Sequence, residues 1–184
     1  MKLSDAIKTR RSRRKYLDKE VSDEVVRKLI DSARYAPFGG PLKKSCQVWE
    51  FIVVRDKEIK EKLALNYEDR QFVKTAPVVI AVCADKTKDP DYKDWEITTS
   101  LAIENMLLTA HDLGLGACYV TTFTHHEKHK EDRKKLMEAL NLPENIELIA
   151  LISVGYPNPS EKIEKKELRD IDEIIHYNKW RTNV

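Results

Sequence analysis

Arg10-Arg11-Ser12-Arg13-Arg14-Lys15-Tyr16 sets five cations and a hydroxyl at the end of a segment that reads as the first helix, with an aromatic closing the run. Guanidinium groups take phosphate oxygens two at a time, and a Ser hydroxyl adds a donor between them, so a compact phosphate-bearing ligand is one natural partner. Two other readings fit the same run. Cations near a helix C-terminus complement its last carbonyls and the negative end of its dipole. A short basic stretch is also an electrostatic footprint for nucleic acid.

Composition narrows the choice. The chain has 184 residues, enough for one domain with a genuine core, and is 41% hydrophobic and 35% charged. Lys+Arg 33 against Asp+Glu 31 leaves +2, so the basicity is local to the N-terminus. A dedicated nucleic-acid binder carries a net basic face with aromatics interleaved for stacking, and that reading weakens. No apolar run has the length of a membrane span, and Met1-Lys2-Leu3-Ser4-Asp5 lacks the apolar core of a signal peptide. A cytoplasmic protein without a membrane partner is expected. Cys46, Cys83 and Cys118 are odd in number, far apart and without CxxC spacing, which indicates neither a disulfide framework nor a zinc site. Cys83 and Cys118 sit in apolar runs and read as small core residues. His125, His126 and His129 include an i, i+4 pair but have no Cys nearby to complete a ligand set, so no metal is expected.

Outward from the basic run the elements alternate. Ser4 is the expected N-cap of a helix over Asp5 to Arg10, and Ser22 that of a second helix with Val25, Val26, Leu29, Ile30 and Ala33 at helical spacing. Ala36-Pro37-Phe38-Gly39-Gly40-Pro41 forbids regular structure: it is either a simple connector or a loop whose backbone approaches a flat ligand. Trp49 to Val54 reads as a buried strand, Asp56 to Leu65 as a short helix, and Pro77 to Ala84 as a central strand covered on both faces. Trp95 to Leu113 turns helical, and Gly114-Leu115-Gly116 ends it with a left-handed cap. Ala117 to Phe123 is a third strand, Glu127 to Leu140 a charged helix, and Ile146 to Gly155 a fourth strand. From Tyr156 the chain becomes a tail with no core face until Ile171, Ile174 and Ile175. A tail ending in aromatics wants a surface, and a partner subunit supplies one when the body already accounts for its own core.

Taken in order, several of these motifs resemble the FMN-dependent nitroreductase family. They are Ala6-Ile7-x-x-Arg10-Arg11-Ser12-x-Arg14-Lys15-Tyr16, the Ala33-Arg34-Tyr35-Ala36-Pro37 helix end, Phe72-Val73-x-x-Ala76-Pro77-Val78-Val79-Ile80, Gly114-Leu115-Gly116-Ala117-Cys118 and the closing His176-Tyr177-Asn178-Lys179-Trp180. The resemblance runs nearly end to end. It implies one α+β unit over residues 1–184, a mixed sheet flanked by helices, in an interlocked homodimer whose C-terminal arm, about 156–184, packs on the partner subunit.

Two FMN molecules would lie in the dimer interface. Carried over by position, Arg10 and Ser12 match phosphate ligands with Arg11 beside them, and Arg14 matches the cation near the N1–O2 edge of the flavin. Arg169 matches a further phosphate ligand from the tail. Pro37, Phe38 and Gly39 match the segment that approaches the ring from the other protomer, and Thr121 and Thr122 the backbone that borders it near N5. No catalytic acid or nucleophile is implied, because hydride passes from NADH or NADPH to flavin N5 and on to a nitroaromatic, quinone or similar small-molecule acceptor. A flavin-binding protein without nicotinamide-dependent reductase activity is the alternative.

There are departures from the family pattern. Phe38 stands where a Ser is common, Pro41 near the place of an Asn, and Leu42-Lys43-Lys44-Ser45-Cys46 reads as a short insertion. Phe38 is then a candidate to stack over a substrate. Lys43 and Lys44 either attract an anionic substrate or are a solvated loop.

Overall fold

The computed structural model describes residues 1–39, 46–65, 68–88, 94–122 and 130–180. Its centre is a four-stranded sheet in the order β1-β2-β4-β3, with β1 at Trp49–Val54, β2 at Val78–Asp85, β3 at Gly116–Thr121 and β4 at Ile146–Gly155. All three pairings are antiparallel. Among the described residues seven α-helices surround it: α1 (Leu3–Thr9), α2 (Asp23–Ala33), α3 (Lys57–Ala64), α4 (Gln71–Thr75), α5 (Trp95–Asp112), α6 (Lys130–Ala139) and α7 (Ile171–Ile174).

Strand periodicity divides the core in two. Alternate residues of β2 face opposite sides, so Val78, Ile80 and Val82 join Leu29 of α2 and Met106 of α5 on one face, while Val79, Ala81 and Cys83 join Leu63, Val73 and Leu136 of α3, α4 and α6 on the other. Every β2 residue from Val78 to Ala84 is buried. The register of β2 against β4 slips between Val82 and Cys83, leaving Ile149 as an extra residue opposite them. That bulge is why the consecutive residues Ile149 and Ala150 fall in the same core layer. Lys86 and Arg133 of α6 both ion-pair with Glu147 on β4, fastening α6 to the sheet.

The first helix corrects an expectation. Ser4 lies inside α1, and the residue before the helix, Lys2, offers no side-chain cap. Instead Asp5 and Ala6 donate to the Lys2 carbonyl, and the Met1 ammonium is held 2.6 Å from Asp112 at the end of α5. Ser22 does cap α2 by accepting from the Val25 N–H, and Asp56 caps α3 through Ile59. β1 is the second correction. It is an edge strand, half-exposed along most of its length, because among the described residues only β2 pairs with it. Its apolar and aromatic content fits a buried strand, but composition does not encode the number of neighbours.

α5 ends as expected, with Gly114 at φ +74 accepting the left-handed turn. Among the described residues no helix is long and apolar enough to cross a membrane. The part of the charged segment from 123 to 129, with His125, His126 and His129, and the segment 40–45, with Lys43 and Lys44, lie outside the described residues.

Candidate functional site: a cationic strand against the β3 edge

The basic run is not helical. α1 makes its last bond from the Arg10 N–H to Ala6, and Arg10 itself adopts extended backbone. The chain then runs along β3 and the turn after β4: Ser12 forms a parallel bridge with Ala117, Arg13 N–H donates to the Ala117 carbonyl, and Leu17 N–H donates to Tyr156. Asn158 N–H returns a bond to Lys15, and the Tyr16 hydroxyl reaches the Arg13 carbonyl at 2.5 Å and Ser153 Oγ at 2.7 Å. Burial pushes the Tyr16 phenol well above its ordinary pKa, so it stays a neutral donor.

Two glycines let this strand lie flush. A Cβ on Gly116 would fall 2.7 Å from the Arg13 Cβ, and one on Gly155 would meet Pro77 and Tyr16 at 2.7 and 2.8 Å. Sequence reading took them as a helix stop and a strand end. Close packing of this kind leaves no local signal beyond the residue itself.

Extended backbone sorts the run by parity. Arg14 projects over α4, its guanidinium carbon 5.6 Å from the centre of the Phe72 ring, and is exposed. Ser12 is exposed and stands beside Cys118; burial pushes that thiol's pKa up, while the Arg14 cation and a hydrogen bond with Ser12 pull it down. Arg13 goes the other way, to Glu161 of the tail. Arg10 is half-buried, with only a long ion pair, 3.8 Å, to Glu104 of α5. Arg11 donates to the carbonyls of Lys8 and Arg10, both at 2.8 Å, and so performs the helix-end role open to any cation of the run. One run thus contains a helix cap, a structural ion pair, and three groups, Arg10, Ser12 and Arg14, with polar capacity to spare.

His111 was missed as a neighbour of the run, for want of any motif around it. Its Nε2 lies 2.8 Å from Thr9 Oγ1. The Thr9 hydroxyl gives its proton to the Asp5 carbonyl, so the imidazole is the donor to Thr9. Burial lowers the His111 pKa, and the Arg10 cation adds to the effect.

The remaining expected residues fare differently. The half-buried Phe38 ring packs edge-on against Trp49, centroids 5.6 Å apart, in the layer under α2 and α5. Gly39 lies so close to Asp94, at the start of α5, that a Cβ there would be 2.6 Å from the carboxylate. Pro37 is exposed. Thr122 turns inward, its N–H on Ile149 O and its hydroxyl on Leu148 O, whereas Thr121 is exposed at the end of β3. Arg169 is exposed and bonded to Glu173 within the tail, so the single chain does not place it among the N-terminal cations. Among the described residues no group of His, Cys, Asp and Glu could hold a metal ion.

Fold and site together define an α+β sandwich that carries a cationic strand along one sheet edge. The family model described as "Nitroreductase family" matches residues 7–69 and 64–156, and the chain belongs to the nitroreductase family. It is 37% identical over 175 residues, 95% of this chain and 96% of the relative, to an Archaeoglobus fulgidus protein provisionally named NADH dehydrogenase/NAD(P)H nitroreductase. Among solved structures it is similar to an FMN-dependent nitroreductase from Clostridium difficile R20291, with TM-score 0.77 and 33% identity, covering 96% of this chain and 99% of that one. A Desulfovibrio desulfuricans protein, provisionally a nitroreductase and solved in complex with FMN, matches with TM-score 0.79 and 28% identity over 98% and 99% of the two chains.

Proposed function

We propose that this protein is an FMN-dependent NAD(P)H oxidoreductase that reduces nitroaromatics, quinones or similar acceptors as an interlocked homodimer. The observation that carries the reading is the basic strand, in which Arg10, Ser12 and Arg14 keep donors to spare, Arg13 is taken by Glu161, and Arg11 spends one nitrogen on two carbonyls while its buried Nε has no hydrogen-bond partner among the described residues. Arg10, the Ser12 hydroxyl and the Nε of Arg11 beside them suit a phosphate monoester, whose oxygens accept charge-assisted bonds from several donors at once. Arg14, farther along the strand and supported by Phe72, is the cation suited to the flavin's N1–O2 edge, where fixed positive charge favours the reduced form.

When bound, FMN supplies the two-electron chemistry between nicotinamide and acceptor. The chain's task is to grip the phosphate and shape the cavity. Donor and acceptor sharing one site would give ping-pong kinetics. The names of the relatives support the NAD(P)H half of the reading.

The dimer half rests on unburied apolar surface. Ile7 of α1 and Ile97 of α5 are 55% and 65% exposed, and in the tail Leu168, Ile171 and Trp180 are 76%, 65% and 78% exposed. Apolar surface of this kind marks an interaction site. In the dimer the exchanged arm covers it and brings Arg169 to the partner's phosphate, while Pro37 and Gly39 offer backbone to the ring.

The test is spectroscopic. Purified protein supplied with FMN is expected to run as a yellow dimer whose flavin absorbance bleaches anaerobically on adding NADH or NADPH and returns with a quinone or nitroaromatic. A colourless monomer that refuses excess FMN overturns the proposal; a yellow dimer that no nicotinamide bleaches leaves a flavin protein of another kind.

A further inference from the structure

Glu161 stands at the first turn of the tail, remote in sequence from the basic run, yet its side chain is only 13% exposed. Its two oxygens are divided. Oε1 accepts from the backbone N–H of Arg14 at 2.8 Å, and Oε2 lies 2.8 Å from Arg13 Nε. The Arg13 contact is held by charge, since its N–H does not point squarely at the oxygen. Asn158 adds a carbonyl for Arg13 Nη2 at 3.3 Å, and the Asn158 carbonyl also accepts the Glu161 N–H, which fixes the turn from which the carboxylate reaches out.

We infer that Glu161 is a positioning residue for the phosphate-binding strand, withdrawing Arg13 to one side and fixing the peptide between Arg13 and Arg14 so that Ser12 and Arg14 face the other. The inference rests on the flavin reading above and deepens it. In an extended strand the direction of one side chain dictates that of its neighbours, so a clasp on Arg13 and on the Arg14 amide sets the aim of the groups on either side. The Arg13 stem lies against Gly116, its N–H is on Ala117 and its carbonyl on the Tyr16 hydroxyl. The guanidinium is therefore the part of Arg13 with freedom to swing, and Glu161 removes that freedom.

Charge and geometry predict opposite signs here. Removing a carboxylate from beside a cationic site tightens anion binding by about threefold if only screened Coulomb forces matter. Loss of the clasp weakens it instead. The experiment measures FMN and riboflavin affinity of wild type, Glu161→Gln and Glu161→Ala by flavin fluorescence quenching, with thermal melts to confirm folding. The Gln variant keeps an acceptor for the Arg14 N–H but not the charge, and its FMN affinity is expected to fall about tenfold; the Ala variant loses both contacts and is expected to fall about thirtyfold. Riboflavin has no phosphate but keeps the ring edge assigned to Arg14, so its weaker binding is expected to fall by distinctly less than that of FMN in both variants.

Equal losses for the two flavins would mean a general structural role and overturn the inference, as would FMN affinity that is unchanged or raised. If the Ala variant does not fold, the Gln variant decides alone. Wild-type protein that binds no FMN removes the flavin reading itself, whereas wild type that binds FMN no better than the variants removes only the role of Glu161.

Discussion

The two edges of the sheet are finished in different ways. The β3 edge is closed in cis: the strand from Arg10 to Leu17 pairs with it and with the turn after β4, and the packing is tight enough to require Gly116 and Gly155. The β1 edge carries no strand among the described residues, Val53 is 40% exposed, and α2 stands back to leave a groove of about 740 Å3 lined by Val26, Ile30, Arg27, Asp31 and Val53. An uncovered edge with an apolar floor is a liability that proteins manage by covering it. The edge that the chain completes alone displays the cations. The edge left open, together with the apolar tail, offers the surface that the proposed dimer would bury. In the proposed dimer the flavin site and the subunit contact are thus halves of one design, coupled through the turn at Asn158 and Glu161.

The sharpest way to break this comparison is to end the chain after Lys162, which keeps Glu161 and deletes the apolar arm. Sedimentation should then report a monomer, and FMN affinity should fall by two orders of magnitude or more, about 3 kcal/mol. A truncated protein that still sediments as a dimer and stays yellow would show that the arm is not the trans cover. Next in size is Gly116→Ala at the closed edge. The new Cβ meets the Arg13 Cβ, and both belong to backbone already tied into the sheet. A loss of about 2 kcal/mol in chemical denaturation is expected from overpacking, with FMN binding weakened about tenfold. Gly114→Ala is the control, because Gly114 has open space around it and only its φ of +74 to offend, a cost of about 1 kcal/mol without effect on FMN.

The closed edge and the open edge were also unequally legible. β2 and β4 could be read directly, since uninterrupted runs such as Val78 to Ala84 need burial on both faces wherever they lie. α5 was legible to within a residue because its apolar stripe and Gly114 are local signals. What failed was everything that depends on a distant neighbour. Trp49 to Val54 has the composition of a core strand but one partner, and Phe38, next to glycines and prolines, gave no hint that Trp49 would take its ring. The geometry of the basic run was not legible either. Nothing in Arg10 to Tyr16 says that Arg11 caps a helix and Arg13 answers a glutamate in the tail, because parity appears only once the run is known to be extended.

A milder probe of the open edge is Val53→Lys. The side chain is already part-exposed, so the isolated subunit should melt within a few degrees of wild type, while a buried charge on the groove floor should weaken dimerisation about tenfold in sedimentation equilibrium. Undisturbed dimerisation would move the subunit contact off β1.

The smallest effect concerns His111, which joins α5 to the end of α1 just where the cations begin. Burial and the Arg10 cation hold its folded pKa below the ordinary 6.5, with Arg11 acting the same way and Asp112 opposing. The folded protein therefore binds fewer protons at this site than the unfolded chain between that lowered value and 6.5, so stability should decline as pH falls through that window and level off below it. Glu104, ion-paired with Arg10, and the Met1 ammonium on Asp112 complete the charged groups of the neighbourhood. Arg10→Gln removes one repelling cation and should raise the His111 pKa in an NMR titration of its ring protons. A phosphate on Arg10 should do the same by neutralising it, and linkage then requires FMN to bind more tightly as pH falls through the same window. A His111 titration that ignores both Arg10→Gln and added FMN would separate the end of α1 from the phosphate site, and leave the phosphate to Ser12 and its neighbours without Arg10.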